Sequence, residues 1–239
     1  SRARLPTGSA TVGINGDHGF LSQGSAVIFA QTDSGWDVDS VPLSNLNPPE
    51  PGAPVDPDGL AYTPDEVYLA SNGNVLLFSQ AHQSVFEWDP ERQQYVDSIP
   101  LIGAPEFMTY SEDLNRVYLA YQNGLIRQID LDATQPAEVP FASLPQNPIG
   151  LQSAGEYLFA ADPSGAWVSH YTFSPEGEMI DNVEWNYFSQ QYVWSESNQK
   201  MYFFRDSTSP RDILWEEINE NGVSYPDEVP GGIRNKQDS

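Results

Sequence analysis

The chain has 239 residues, 39% of them hydrophobic and 12% aromatic, which is enough to bury a core and too apolar for a disordered segment. Asp and Glu number 34 against 10 Lys and Arg, for a formal net charge of −24; such a surface repels nucleic acid and anionic lipid, so neither is expected as a partner. Cysteine is absent, which rules out disulfides, thiolate metal sites and cysteine nucleophiles, and no run of about 18 apolar residues exists to span a bilayer.

The chain opens Ser1-Arg2-Ala3-Arg4 with no signal-peptide pattern and reads as a processed chain or a segment of a longer one. After an N-terminus at 1–9 expected to be flexible, a repeat begins. Residues 10–43 and 66–101 align nearly end to end, with Asn-Gly at a first turn and VDSVPL or VDSIPL at the close. Between them lies a proline-rich insertion, Asn45 to Pro64. A third copy starts at Glu106, and weaker ones at Pro148 and Gln190. Phe20, Leu76, Tyr118, Leu158 and Tyr202 anchor the second run of each copy at intervals of 56, 42, 40 and 44 residues, the long interval containing the insertion.

Each copy holds four short apolar runs, a to d, bounded by the Gly, Asn, Asp and Ser turns that hairpins require. Runs such as Val75-Leu76-Leu77-Phe78 and Met201-Tyr202-Phe203-Phe204 are apolar at consecutive residues, which suits strands buried on both faces. Four-stranded units at this period predict an all-β chain, a β-propeller of about five four-stranded antiparallel blades. The expected blades are about 10–43, 65–101, 105–141, 148–185 and 190–226 within one domain at 10–226, followed by a flexible tail at 227–239. The five blades close by packing alone, or further blades belong to a longer parent chain.

Ala104-Pro105-Glu106-Phe107 and Asn147-Pro148-Ile149-Gly150-Leu151 read as Pro-led inner strands, and Val117 to Ala120 as a VYLA-type second strand. In these residues the chain resembles the bacterial β-propeller repeats of the YVTN, NHL and quinoprotein-like group, over about residues 10–226. The resemblance implies an architecture that many functions share and no particular site residue.

In a propeller the d–a and b–c connections share one end, the usual place for binding and catalysis. The b–c loops carry Gln23, Gln80 with His82, Gln122, Asp162, and the Arg205-Asp206 loop. The three glutamines are equivalent in register, and amides suit a polar ligand such as a sugar or peptide. Arg205 with Asp206 offers either an anchor for an anionic group or an internal ion pair. Glu66 and Glu106, read as equivalent positions at the start of run a, are the weak candidates for an acid–base pair. Trp185 and Trp194 flank the last d–a connection as candidate stacking platforms, while Trp36, Trp88, Trp167 and Trp215 are expected to pack between blades.

Asp56-Pro57-Asp58-Gly59 begins like a calcium loop, but the twelfth position is Val67, so an EF-hand is excluded. No metal site or cofactor is expected; calcium stays open without a motif of its own. His18, His82 and His170 fall at no metal-binding spacing, and no Ser-nucleophile elbow is present. The leading expectation is a non-catalytic binding or scaffold module of a secreted bacterial protein, extracellular or periplasmic. It would take a protein or carbohydrate ligand at the top loops, as a monomer or part of a longer chain. The alternatives are a glycan-acting hydrolase using funnel carboxylates and a structural domain docking within a longer parent protein.

Overall fold

A computed structural model describes residues 64–92, 95–164, 167–184, 191–203 and 213–220 with their side chains. It adds strand backbone alone at 11–15, 17–22, 25–32, 35–42, 94, 185, 189–190, 204–205, 212, 222–224 and 232–234. The insertion, with its Asp56 to Gly59 turn, lies outside the described residues.

The described chain is a succession of antiparallel meanders. The first sheet is β1 (Thr11–Asn15), β2 (Asp17–Ser22), β3 (Ser25–Thr32) and β4 (Gly35–Pro42). The second is β5 (Glu66–Leu69), β6 (Val75–Ser79), β7 (Ser84–Asp89) and β8 (Gln94–Pro100). The third is β9 (Phe107–Ser111), β10 (Arg116–Ala120), β11 (Leu125–Asp130) and β12 (Glu138–Ser143). The fourth is β13 (Gly150–Ala154), β14 (Tyr157–Asp162), β15 (Val168–Phe173) and β16 (Met179–Trp185). The fifth is β17 (Ser189–Ser195), β18 (Lys200–Arg205), β19 (Asp212–Asn219) and β20 (Gly222–Ser224). A further short strand, β21 (Gly232–Arg234), pairs with the other end of β19 through Asp212↔Arg234 and Leu214↔Gly232. Three residues of the stretch expected as a tail therefore extend the fifth sheet.

The strands fall in two compact units, Ser1–Ala104 with Leu131–Glu138, and Pro105–Asp130 with Val139–Ser239. In the first unit β1 lies beside β5. Its second sheet is built around β6, every residue of which is buried, and Trp88 and Phe86 meet Tyr95 edge to face at 5.1 and 5.8 Å. In the second unit the inner strands β9, β13 and β17 run side by side.

Two apolar faces hold the second unit together. Tyr118, Ala120, Ile126, Leu158, Ala160, Tyr171 and Phe173 join the third and fourth sheets; Phe159, Ala161, Val168, Tyr192, Trp194, Met201 and Phe203 join the fourth and fifth. Consecutive residues of β14 feed opposite faces, Leu158 and Ala160 one and Phe159 and Ala161 the other. That is why the run is apolar throughout instead of alternating.

Turn chemistry sets the sheet spacing. Each described a–b turn contains one residue at positive φ: Gly73, Asn115, Gly155 or Gln199. In β17, Gln191 (φ 64°) is an extra residue between the pairs Gln190↔Phe204 and Tyr192↔Phe203. This bulge resets the alternation and aims Tyr192 at the fourth sheet. Room for it is made at Gly150, where an added Cβ would lie 2.3 Å from the Tyr192 ring.

Candidate functional site

The end of each sheet carrying the b–c loop and the entry to strand a was the expected ligand surface, and here carboxylates hold backbone in place. In the first unit the Asp65 amide donates to Phe78 O at 2.8 Å, and the Asp65 carboxylate accepts from the Gln80 amide at 2.6 Å. Glu66, one residue on, is half-buried and accepts the Tyr68 hydroxyl. His82 is also half-buried, with Nδ1 2.8 Å from Ser79 Oγ and its ring edge-on to Phe86 at 6.0 Å.

In the second unit the Glu106 amide donates to Ala120 O at 2.8 Å, the same relation that Asp65 has to Phe78. The counterpart of Glu106 is therefore Asp65. Glu66 is one step further along, because β5 opens at Glu66 opposite Phe78 whereas β9 opens at Phe107 opposite Ala120. The exposed Glu106 carboxylate accepts from Gln122 Nε2 at 2.6 Å.

A chain of bonds runs on from this pair. The Leu144 amide donates to Gly124 O at 2.8 Å. Gly124 sits at φ 79°, and an added Cβ would meet Leu144 O at 2.5 Å and Gln146 O at 2.8 Å, so the close approach and the left-handed backbone both call for glycine. The Gln146 amide then donates to Asp162 Oδ2 at 2.9 Å. Asp162 is fully buried and also accepts the Ser164 amide at 3.0 Å, the Ser164 hydroxyl, and the Tyr171 hydroxyl at 3.2 Å. Burial, above all, pushes the Tyr171 hydroxyl above the ordinary tyrosine value, with Ser164 pulling it back and Asp162 raising it. Asp162 thus pins the d–a connection to the next b–c loop and is not open to a ligand.

Two of the tryptophans, Trp194 and Trp167, depart from the roles expected of them. Trp194 is buried at 6% exposure, with Nε1 donating to Glu196 at 2.7 Å; no face of its ring is offered as a platform. Trp167 is 43% exposed, at the loop that leads into β15. Trp88 is buried as expected, and Trp215 is half-buried, with the Lys200 ammonium 3.5 Å over its ring. Gln23 and Asp206 lie outside the described residues, as do the side chains of Arg205, Trp36 and Trp185, and His18 beyond its backbone.

Two other clusters stand out in the second unit. His170 and Glu216 are both completely buried between the fourth and fifth sheets. His170 Nδ1 lies 3.0 and 3.2 Å from the two Glu216 oxygens, and Nε2 3.2 Å from the Tyr192 hydroxyl. Phe159 and Phe203 enclose the imidazole edge to face, each at 5.0 Å. No spacing in the sequence signals this pair, since the partners are 46 residues apart. At the a–b turns a cleft of about 340 Å³ is lined by residues that include Asp113, Glu156, Tyr157, Glu196 and Gln199. Burial first, then Glu156 and Glu220, push the Tyr157 hydroxyl up. Among the described residues no group of three or more His, Cys, Asp and Glu is placed to hold a metal ion.

No protein-family model matches the sequence, and comparison with curated proteins returns no match. Solved structures do match. A hydrazine synthase chain of Kuenenia stuttgartiensis aligns over 93% of this chain and 67% of its own, at 13% identity and TM-score 0.58. An inactive virginiamycin B lyase of Staphylococcus aureus with quinupristin aligns over 94% and 73%, at 14% and 0.56. The Cps50 (Swd1) β-propeller domain of Myceliophteria thermophila aligns over 90% and 72%, at 15% and 0.56. The architecture is a β-propeller. Likeness at this identity establishes the propeller fold and leaves the activity to be argued from the site. Among the described residues no helix is long and apolar enough to cross a membrane.

Proposed function

We propose that this propeller is a non-catalytic binding module whose ligand meets the b–c and d–a loop end of the blades. The observation that carries the reading is how carboxylates are used there. Asp65 holds the Gln80 amide, Glu106 the Gln122 side chain, and Asp162 the Gln146 and Ser164 amides. A hydrolytic pair needs one carboxylic acid free to give its proton and one carboxylate free to attack or to activate water. Acids spent on fixing loops produce instead a rigid polar rim, and rigidity lowers the ordering cost of binding.

The ligand we assign is a protein or a carbohydrate, and the setting is extracellular or periplasmic, as a domain of a bacterial protein of the YVTN, NHL and quinoprotein-like kind. The net charge of −24 supports solubility there and weighs against anionic partners. No cofactor is needed for this role. The test is to incubate the 239-residue chain with oligosaccharide and peptide libraries, following thermal shift for binding and mass spectrometry for products. Binding without turnover is expected. Product release that disappears in Glu106→Gln overturns the reading in favour of a hydrolase.

A further inference from the structure

We infer that the Asn72-Gly73 turn is a site of spontaneous modification: the Gly73 peptide closes on the Asn72 side chain, ammonia leaves, and hydrolysis installs aspartate and isoaspartate in the second blade. The Asn123-Gly124 turn, built by the same bonds, is protected by the fold.

Four Asn-Gly pairs occur in the chain. Asparagine is among the thermolabile residues, and a following glycine has no Cβ to shield its nitrogen from the asparagine side chain. Asn15-Gly16 and Asn221-Gly222 each include a residue outside the described ones. The other two pairs sit in one and the same turn. Ala70 N donates to Asn74 O at 2.8 Å and Gly73 N to Ala70 O at 2.9 Å; Tyr121 N donates to Leu125 O and Gly124 N to Tyr121 O, both at 2.9 Å. The glycines have φ of 85° and 79°. In each turn the asparagine Oδ1 accepts from the residue after the glycine, Asn74 N at 2.9 Å and Leu125 N at 3.2 Å. That bond is placed to stabilise the amide oxygen as it becomes an oxyanion. Both turns have it, and both hold the attacking glycine amide in a bond of its own, so neither feature separates them.

What separates them is the freedom of the glycine. Gly73 is exposed, and a Cβ added there would meet nothing within 4 Å. Hydroxide reaches its N–H, and the peptide has room to turn toward Asn72 Cγ. Gly124 is buried; a Cβ there would lie 2.5 Å from Leu144 O and 2.8 Å from Gln146 O, and its carbonyl accepts the Leu144 amide at 2.8 Å. Ring closure rotates the asparagine backbone and carries the glycine with it, which at Gly124 drives the chain into that backbone.

At Asn72 the Gly73 nitrogen gives its proton to hydroxide and bonds Cγ. The tetrahedral carbon then expels Nδ2, which takes a proton from water and leaves as ammonia. Water opens the succinimide at either carbonyl, giving aspartate, or isoaspartate with its main chain lengthened by the side-chain methylene. Either product puts a carboxylate where Asn72 Nδ2 now donates to Glu87 Oε1 at 3.0 Å, beside the Asn74 Nδ2 bond to the same oxygen at 2.5 Å. Two carboxylates at that distance repel, so the product loosens the hairpin between β5 and β6.

The experiment ages the full chain in mildly alkaline buffer, folded and in urea, and follows the Asn72 and Asn123 peptides by mass spectrometry, with isoaspartate separated from aspartate by chromatography. In the folded chain Asn72 should convert about tenfold faster than Asn123; in urea the two should convert at similar rates. Equal rates in the folded chain, or faster conversion at Asn123, overturn the inference. A ratio that persists in urea overturns it as well, because the fold is then not what protects Asn123. Gly73→Ala, whose methyl enters open space but shields the nitrogen, should slow conversion at Asn72 severalfold and leave Asn123 unchanged; an unchanged Asn72 rate overturns the route through the Gly73 nitrogen. Asn72→Asp carries one product from the start and should speed hydrogen exchange at the Gly73 and Asn74 amides. Exchange equal to wild type overturns the loosening of the hairpin.

Discussion

The two apolar faces of the second unit each contain a buried carboxylate, and they use it in opposite ways. Between the third and fourth blades Asp162 sits at the loop end of the face and collects two backbone amides and two hydroxyls. Between the fourth and fifth, Glu216 faces the imidazole of His170, whose ring lies among Phe159, Phe203 and Tyr192. A carboxylate that accepts several short bonds recovers most of its hydration and organises the loops it bonds. One that depends on a single ring in the core has no such reserve. The rim carboxylate belongs to the loop end, the core carboxylate to the joint between blades.

The largest expected effect comes from breaking the core joint. Glu216→Leu leaves the His170 ring without its acceptor in an aromatic site, and removing one partner of a buried pair costs about 3–5 kcal/mol. The urea midpoint should fall accordingly. Adding His170→Leu should restore much of it, because an apolar pair of similar volume tolerates the same site. A Glu216→Leu midpoint equal to wild type would show that the pair holds nothing together.

Gly150→Ala attacks the same joint from the neighbouring strand. The added methyl would lie 2.3 Å from the Tyr192 ring, which is buried and bonded to His170, so the ring cannot move aside without disturbing the pair. Overpacking of this kind costs about 1–3 kcal/mol. Because both changes strain one joint, Gly150→Ala and Glu216→Leu should cost less together than the sum of their separate effects.

At the rim the expected loss is smaller and local. Asp162→Asn keeps the shape but turns an acceptor-only group into one with a donor facing amides, costing about 1–2 kcal/mol. Hydrogen exchange should speed up at the Gln146 and Ser164 amides before it does in β14. Uniform loss of protection across the second unit would place Asp162 with the core instead, and the contrast between the two faces would collapse.

Much of the fold was legible because it rests on local chemistry repeated along the chain. The apolar run of β6 and the Asn72-Gly73 turn before it specify a hairpin, and five copies of a four-run unit, each with turn chemistry of its own, predict a propeller. The site was less legible because it depends on a one-residue register. Glu66 and Glu106 look equivalent in the sequence, yet the position matching Glu106 is Asp65, since each strand begins where its hydrogen-bond ladder begins. The tryptophans show the same limit. A run such as Tyr192-Val193-Trp194 says that rings are present, but the bulge at Gln191 decides that Tyr192 and Trp194 point inward, and nothing beside Trp167 announces exposure. The pairing of His170 with Glu216 depends on how two blades stack, which no single repeat encodes.

The smallest effect separates the faces by pH. Tyr171 and Tyr118 both belong to the third–fourth face, and burial is the main reason each hydroxyl is pushed above the usual tyrosine value. A tyrosine in the unfolded chain ionises near pH 10, at about its unperturbed value. The folded chain therefore holds these protons where the unfolded chain has released them. The stability linked to them is fully present below about pH 10 and is lost as pH rises through the higher folded values, by at most about 1.4 kcal/mol per pH unit for each proton. Tyr171→Phe removes one such proton and should flatten the alkaline decline of the urea midpoint. At neutral pH it should also lose about 1 kcal/mol with the bond to Asp162. Tyr118→Phe should flatten the decline as well, without touching Asp162, and Tyr157, also raised, should leave a residual slope in the double variant. If the double variant declines as steeply as wild type, the alkaline sensitivity lies outside this face.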